Sequence, residues 1–413
     1  MPQPTINFPR LKRDILDLSQ IGLNPEDHGI YRMAFTDADM TARDWLHNHL
    51  DQISAVPRLD GAGNLCGRLA SENPDAPAIL IGSHTDTVPR AGMLDGSLGV
   101  LCGLEVLRIL HENKILLARP VELISFSDEE GRFGGMLGSQ AFAGMVTPEI
   151  LQATDLNGKP LSAAMQKQGF EPLAVLDARR DPETLAAYLE LHIEQGPVLD
   201  RSPASVGIVE NITGLRKWLI RLRGEANHAG TTPMNMRKDA FMGLADFAHE
   251  LPRILDENGA PDSRATIGSA QIVPGAANTV PGEVEFSLDL RDTDSGQLEE
   301  LTLAVRRALS AIARRRDLSL DLELQSEIIP ASCDPAIINT IVEQANKLNL
   351  PYLKMPSGAA HDAQIMATIT PTAMIFVPSK DGVSHTPAEW TDWADIENGA
   401  NLLLQTVLEL ATN

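Results

Sequence analysis

The sequence predicts an α/β protein built on an open mixed sheet, with a smaller ferredoxin-like α+β domain inserted into it. Three observations carry this reading. A strand, turn, helix and strand follow one another between Pro77 and Phe126, the grammar changes across 214–329, and the first grammar returns from Pro330. Residues 1–213 and 330–413 are therefore read as one domain and 214–329 as the insertion. A chain of 413 residues also exceeds what one hydrophobic core usually organises.

The first domain begins its pattern with the apolar strand AILIGS, a glycine-rich turn, a helical run from Leu98 to Leu110, and the strand VELISF. That order is typical of an open α/β sheet, whose ligands sit beyond the carboxyl ends of the strands. In the insertion, Trp218, Ile220 and Leu222 alternate with Lys217, Arg221 and Arg223, which predicts a strand with one buried face. A helix over Met234 to Leu255, strands at 265–273 and 284–290, and a helix from Gln297 to Arg316 follow. The run LSLDLELQ then places Leu318, Leu320, Leu322 and Leu324 at period two. The resulting order, β-α-β-β-α-β, is the split-βαβ sandwich. Beyond Pro330 a helix near Ile337 to Leu348 and a strand at 372–378 complete the first domain.

Composition narrows the function. A formal charge of -22 disfavours nucleic acid and anionic membranes as partners, yet a local cluster of cations inside a cleft could still receive a small anion. No segment approaches the ~20 apolar residues of a membrane span. The N-terminal stretch has prolines and charges where an export signal would be apolar, so a cytoplasmic location is expected. Cys66, Cys102 and Cys333 have no paired spacing, which argues against a disulfide framework and a thiolate zinc site.

His84, Asp95, Glu130, His192 and His385 fall at strand ends or in adjoining loops, and each alone is weak as a metal ligand. Asp86, two residues after His84, can accept the second imidazole N–H and fix the tautomer of a metal-bound histidine. Asp95 in MLDGS can bridge two cations or simply make an Asp-Gly turn. Asp128, Glu129 and Glu130 crowd three carboxylates after VELISF: a solvated acidic turn, or a site where one carboxylate binds a cation and its neighbour acts as a base.

In order along the chain stand GSHTDTVPRAGMLDGSLGV, SDEEGRFGGMLGSQAFAG, LHIEQGPVL, HAGTTPM, AANTVPG, DLRD, PSGAAHDAQ and SHTPAEW. Together they resemble the hydantoinase/carbamoylase family within the di-metal M20-type peptidase and amidohydrolase superfamily, from about Gly29 to the C-terminus. The resemblance implies two divalent ions per chain, zinc, manganese, cobalt or nickel, bridged by Asp95 and completed by His84, Glu130, His192 and His385. It makes Glu129 the general base, with Asp86 counted beside it in the catalytic machinery. Peptidases of the superfamily usually carry an acidic residue at His192, so the histidine resembles the carbamoylase branch.

By the same resemblance Gln195, His228, Asn278, Arg291, Gly358 and His361 contact the substrate. Arg291 would bind a carboxylate with its planar fork, while His228 and Asn278 would donate to the oxyanion of a tetrahedral intermediate. Periodicity alone reads Arg291 equally well as a surface charge. Ala360 departs from the glycine of many relatives, which leaves the geometry of that loop open. The family also implies a homodimer through the inserted domain, with His228 reaching the partner's site. The implied reaction is hydrolysis of the ureido bond of an N-carbamoyl-L-amino acid, a small anion. Allantoate is the first alternative, ureidopropionate and ureidoglycolate are others, and an exopeptidase or a non-catalytic metal protein is disfavoured by His192 and by the intact Glu129.

Overall fold

The computed structural model describes residues 3–412. The chain divides into two compact units, Met1–Glu210 with Cys333–Asn413, and Asn211–Ser332. The first runs through α1 (Phe8–Ser19), α2 (Asp37–Gln52), β1 (Val56–Leu59), β2 (Leu65–Arg68), β3 (Ala78–His84), α3 (Ser97–Glu112), β4 (Val121–Phe126), α4 (Leu137–Phe142), α5 (Leu161–Lys167), β5 (Leu185–Ile193) and β6 (Val206–Ile212). The second holds β7 (Gly214–Arg223), β8 (Asn227–His228), α6 (Ala240–Asn258), β9 (Arg264–Thr266), β10 (Ala270–Val273), β11 (Thr279–Val280), β12 (Glu283–Asp292), α7 (Ser295–Arg315), β13 (Ser319–Ile328) and β14 (Ala331–Ser332). The first unit then closes with α8 (Pro335–Lys347), β15 (Tyr352–Ser357), α9 (Asp362–Met366), β16 (Thr372–Val377) and α10 (Trp393–Thr412).

In the first unit the strands form one mixed sheet in the order β1-β2-β4-β3-β5-β16-β6, with β15 also on β6. Its centre, β4-β3-β5-β16, is parallel throughout, while β2 and β6 run antiparallel to their neighbours. The parallel strands read as continuous apolar runs because both their faces are covered, and β3, β4 and β16 are buried at every residue. Helix α3 is buried from Ser97 to Leu110. A mixed α/β fold is what the sequence predicts.

The second unit follows the order β10-β12-β7-β13, all antiparallel, with β9 also on β12. Ile220 and Leu222 of β7 join Phe286, Leu288 and Leu290 of β12 in a core with Phe247 of α6 and Leu301 and Leu309 of α7. On the other face Arg221 lies opposite Glu285 and Arg223 opposite Glu283, and both pairs are salt-bridged. Alternation along β7 thus sorts apolar from charged residues as the sequence predicts.

Two local readings need correction. The strand expected over 265–273 is two strands, β9 and β10, because the chain leaves β12 between Thr266 and Ala270. The helix expected from Met234 starts at Ala240, since a short 3-10 turn at Met234–Met236 ends before Asp239, whose carboxylate caps α6 through the Met242 N–H.

Candidate active site

Because β4, β3, β5 and β16 are parallel, their carboxyl ends lie along one edge of the sheet, where ligands bind in such folds. His84 is the last residue of β3, His192 stands one residue from the end of β5, and Asp128 to Glu130 follow β4. The His84 and His192 rings are 6.0 Å apart. Asp95 immediately precedes Gly96, the N-cap of α3, where the helix dipole favours a carboxylate. Gly96 has φ +60, and a Cβ there would lie 2.3 Å from the His84 ring. Only glycine lets Asp95 and His84 approach in this way.

Of three groups of possible ligands among the described residues, two share Asp95, while the third joins His192 to Glu190 and His361. His84, Asp95 and His192 bring their ligand atoms within 4.8 Å of one another, and so do Asp95, Glu130 and His385. One Asp95 oxygen, Oδ1, is 3.2 Å from His192 Nε2 and 3.8 Å from His84 Nε2; the other, Oδ2, is 3.2 Å from His385 Nε2. Glu130 Oε2 is 3.4 Å from His385 Nε2, and Glu129 Oε2 is 3.5 Å from His84 Nε2. The structure therefore brings together the five ligand candidates named from the sequence, with Glu129 beside them.

The three consecutive acids have separate fates. Asp128, at φ +53, turns its carboxylate back to the Phe133 N–H at 3.0 Å, so it shapes the loop. Glu129 and Glu130 point to the two different groups. Asp86 differs from its expected contact. His84 Nδ1 donates to the Asp86 main-chain carbonyl at 3.1 Å, while the Asp86 carboxylate, 3.9 Å from that nitrogen, accepts from the N–H groups of Glu129 at 3.4 Å and Glu130 at 3.3 Å. Asp86 thus still fixes the tautomer, but through its backbone, and its side chain orients the acidic loop.

The donor set fits divalent cations. His84 Nδ1 donates to the Asp86 carbonyl, which leaves the lone pair on the Nε2 of its neutral ring. His192 Nδ1 likewise faces the Ile193 carbonyl at 2.8 Å, but against burial the hydrogen bond to Asp95 raises His192 to about 9, and a cation bound at its Nε2 would displace that proton. Glu130 Oε1 is buried without a hydrogen-bond partner. Burial, with Asp362 and Glu130 next, holds the Glu129 carboxyl well above its usual range; burial and Asp95 do the same to Glu130. Burial also drives His84 down to about 4 and the Asp86 carboxyl up to about 7. Lone pairs and carboxylates facing one another in a dry site are the arrangement that cations relieve.

Gln195, also left-handed at φ +57, donates from Nε2 to Asp95 Oδ2 at 2.6 Å. His361 is buried with its ring 4.5 Å from that of His192, and its Nε2 meets Ser357 Oγ at 3.0 Å. Ser357 Oγ also bonds the carbonyl of Ala359 at 2.8 Å, which ties the Gly358-containing loop together. On the second unit, His228 and Asn278 come together: His228 pairs with Thr279 across β8 and β11, and Ala229 N–H donates to the Asn278 carbonyl. Arg291, near the end of β12, is salt-bridged to Asp289 through Nε at 2.9 Å.

Sequence reasoning missed a polar layer behind these residues. Glu190 accepts from Ser83 Oγ at 2.7 Å, from Tyr188 OH at 3.1 Å and from the Ala363 N–H at 2.9 Å. Tyr188, Glu190 and His192 stand at every second position of β5, a signal that the period-two rule could have found. Glu389 was also missed, although it lies in SHTPAEW beside His385.

The family model for Peptidase family M20/M25/M40 matches residues 80–409. The N-carbamoyl-L-amino acid amidohydrolase of Geobacillus stearothermophilus is 38% identical over 405 residues, covering 97% of this chain and 98% of that protein. The allantoate amidohydrolase of Escherichia coli (strain K12) is 34% identical over 95% of this chain and 96% of its own. A crystal structure of a hydantoinase/carbamoylase family amidase from Burkholderia multivorans superposes with a TM-score of 0.91 at 35% identity, over 100% of both chains. With the family model spanning most of its length and such relatives end to end, the chain belongs to the M20/M25/M40 peptidase family.

Proposed function

We propose that this protein hydrolyses the ureido C–N bond of an N-carbamoyl-L-amino acid, releasing the amino acid, ammonia and carbon dioxide. One observation carries the mechanism: Asp95 belongs to both ligand groups, and Glu129 stands beside them without belonging to either. His84 and His192 with Asp95 would hold one divalent ion, and Glu130 and His385 with Asp95 a second, of zinc, manganese, cobalt or nickel. Such ions, when bound, polarise a carbonyl and make water acidic enough to ionise near neutral pH.

The chain's own residues do the rest. Glu129 takes a proton from the attacking water and returns it to the departing nitrogen as the C–N bond breaks. Asp86 steadies Glu129 by accepting its N–H. Arg291 grips the substrate carboxylate, His228 and Asn278 donate to the oxyanion, and Gln195, Gly358 and His361 line the substrate. Asp289 accepts from Arg291 Nε at 2.9 Å and Nη2 at 3.3 Å, so a substrate carboxylate would exchange with Asp289 for that fork.

A homodimer through the inserted unit belongs to the same reading. The outer edge of β10 pairs with no strand among the described residues, and Ile272 and Val273 on it are exposed, as are Phe241 and Met242 of α6. An apolar, unpaired edge is a surface that proteins cover. Among the described residues no helix is long and apolar enough to cross a membrane. Allantoate is the second reading, favoured by the 34% identical relative of that name and by the same pairing of a ureido group with a carboxylate. Ammonia release by the purified protein, with each candidate metal, is measured over N-carbamoyl-L-amino acids, allantoate, ureidopropionate and ureidoglycolate. N-carbamoyl-L-amino acids should give the highest kcat/KM and lose it on chelation; a higher value for allantoate, or activity without metal, overturns the proposal.

A further inference from the structure

We infer that Glu389 is a positioning residue: a buried carboxylate latch that sets the ion held by Asp95, Glu130 and His385. The inference rests on the two-ion reading above. Its ground is a difference in how the ligands are held. His84 and His192 are 2% and 1% exposed and are fixed by the sheet and its core. The His385 side chain is 48% exposed and sits at φ +57, in a loop after β16, so packing does not hold it. A strained, exposed ligand needs another restraint.

Glu389 supplies one. It is 3% exposed and its Oε1 accepts from the main-chain N–H groups of Leu94 at 2.8 Å and Asp95 at 3.0 Å. Its Oε2 lies 2.8 Å from Ser384 Oγ, which is also 2.9 Å from Asp95 Oδ2. The Glu389 N–H closes a turn onto the Thr386 carbonyl at 3.1 Å. One carboxylate thus joins the loop that carries Asp95 to the loop that carries His385. Its approach requires Gly92, where a Cβ would lie 2.4 Å from Glu389 Cβ and 2.5 Å from Oε1. Groups that orient ligands from behind typically change metal affinity 10–100-fold when removed.

The latch predicts an asymmetric effect. Titration of the metal-free full-length protein with Mn2+ alone, followed by calorimetry, resolves two binding events in the native protein. Glu389→Ala should leave the tighter event within about threefold and weaken the other by about tenfold or more. Glu389→Gln should restore it to within about threefold, because its carbonyl still accepts both N–H groups and its amide still reaches Ser384. Ser384→Ala removes one hydroxyl and little packing, so it carries the test if Glu389→Ala does not fold, with a several-fold weakening of the same event. Equal weakening of both events, unchanged affinity in the alanine variants, or a Glu389→Gln as impaired as Glu389→Ala overturns the latch. A native protein that binds fewer than two ions overturns the two-ion reading instead.

Discussion

Gly96→Ala perturbs the site at its tightest point and tests whether the approach of α3 to His84 is what builds it. An added Cβ would lie 2.3 Å from the His84 ring, so the ring must retreat by about 1.1 Å to reach ordinary contact at 3.4 Å. His84 is 2% exposed and lies at the end of a fully buried strand, so it has little room to move. The backbone at φ +60, ψ -49 adds about 1–3 kcal/mol of strain for any residue with a Cβ. A shift of that size in a ligand takes reacting groups out of register, and misplacement by 1 Å can reduce a rate about 100-fold. Gly158→Ala is the control: it has φ +74 with open space around the added Cβ, so it carries the backbone strain without the collision. Thermal melting, metal content and kcat/KM are measured on both. Both should melt lower than the native protein, but only Gly96→Ala should lose metal and about two orders of magnitude in kcat/KM. A Gly96→Ala protein with native metal content and native kcat/KM would refute the steric argument.

Glu129→Gln should lower kcat by about 100-fold or more while metal content stays native, because the residue stands outside both ligand groups; loss of metal from this variant but not from Glu130→Gln would reverse the two roles. Arg291→Lys keeps the charge but not the fork, so kcat/KM should fall strongly for carboxylate substrates and little for their amides in a parallel assay. Asp246 ties α6 to the end of α7: the Arg316 hydrogen bond, against burial and with help from Arg315, holds its carboxyl down to about 2. A depressed folded pKa stabilises above the unfolded value of 3.8 and fades as pH falls through about 2. Asp246→Asn should therefore destabilise by roughly 1–2 kcal/mol at pH 7, with the melting difference closing between pH 4 and pH 2.

The sequence made some elements legible for physical reasons. The buried strands β3 and β4 are short apolar runs bounded by turn residues, and β7 alternates because one face meets a core and the other faces water. The site was half visible. Motifs named His84, Asp95, Glu129, Glu130, His192 and His385, but nothing in the order of residues says that Asp128 folds back on Phe133 while its neighbours divide between two groups. That division comes from a left-handed turn at Asp128 and from the Asp86 carboxylate gripping the next two N–H groups. Glu389 was invisible because its role is to accept main-chain hydrogens, which depends on a fold that brings residue 389 to residue 95.

The inserted unit sets the last prediction. His228 and Asn278 lie at the end of the sheet where β12 begins, and Arg291 lies at the other end of the same strand. From Glu283 to Arg291 the chain extends roughly 26 Å at about 3.3 Å per residue, far longer than a small ureido acid. One inserted unit therefore cannot offer both ends to one substrate molecule. If Arg291 grips the carboxylate and His228 serves the oxyanion, each site takes one of them from its own chain and the other from the partner. Mixing Glu129→Gln subunits with His228→Ala subunits tests this. When His228 acts across the dimer, both lesions fall in one site of the heterodimer and the other site is intact, so each heterodimer has about half the native activity. After random exchange half the dimers are mixed, and the pool should recover about a quarter of native activity from parents that have almost none. Native mass spectrometry counts the mixed dimers, and their presence without recovered ammonia release would place His228 in its own subunit's site, or in neither.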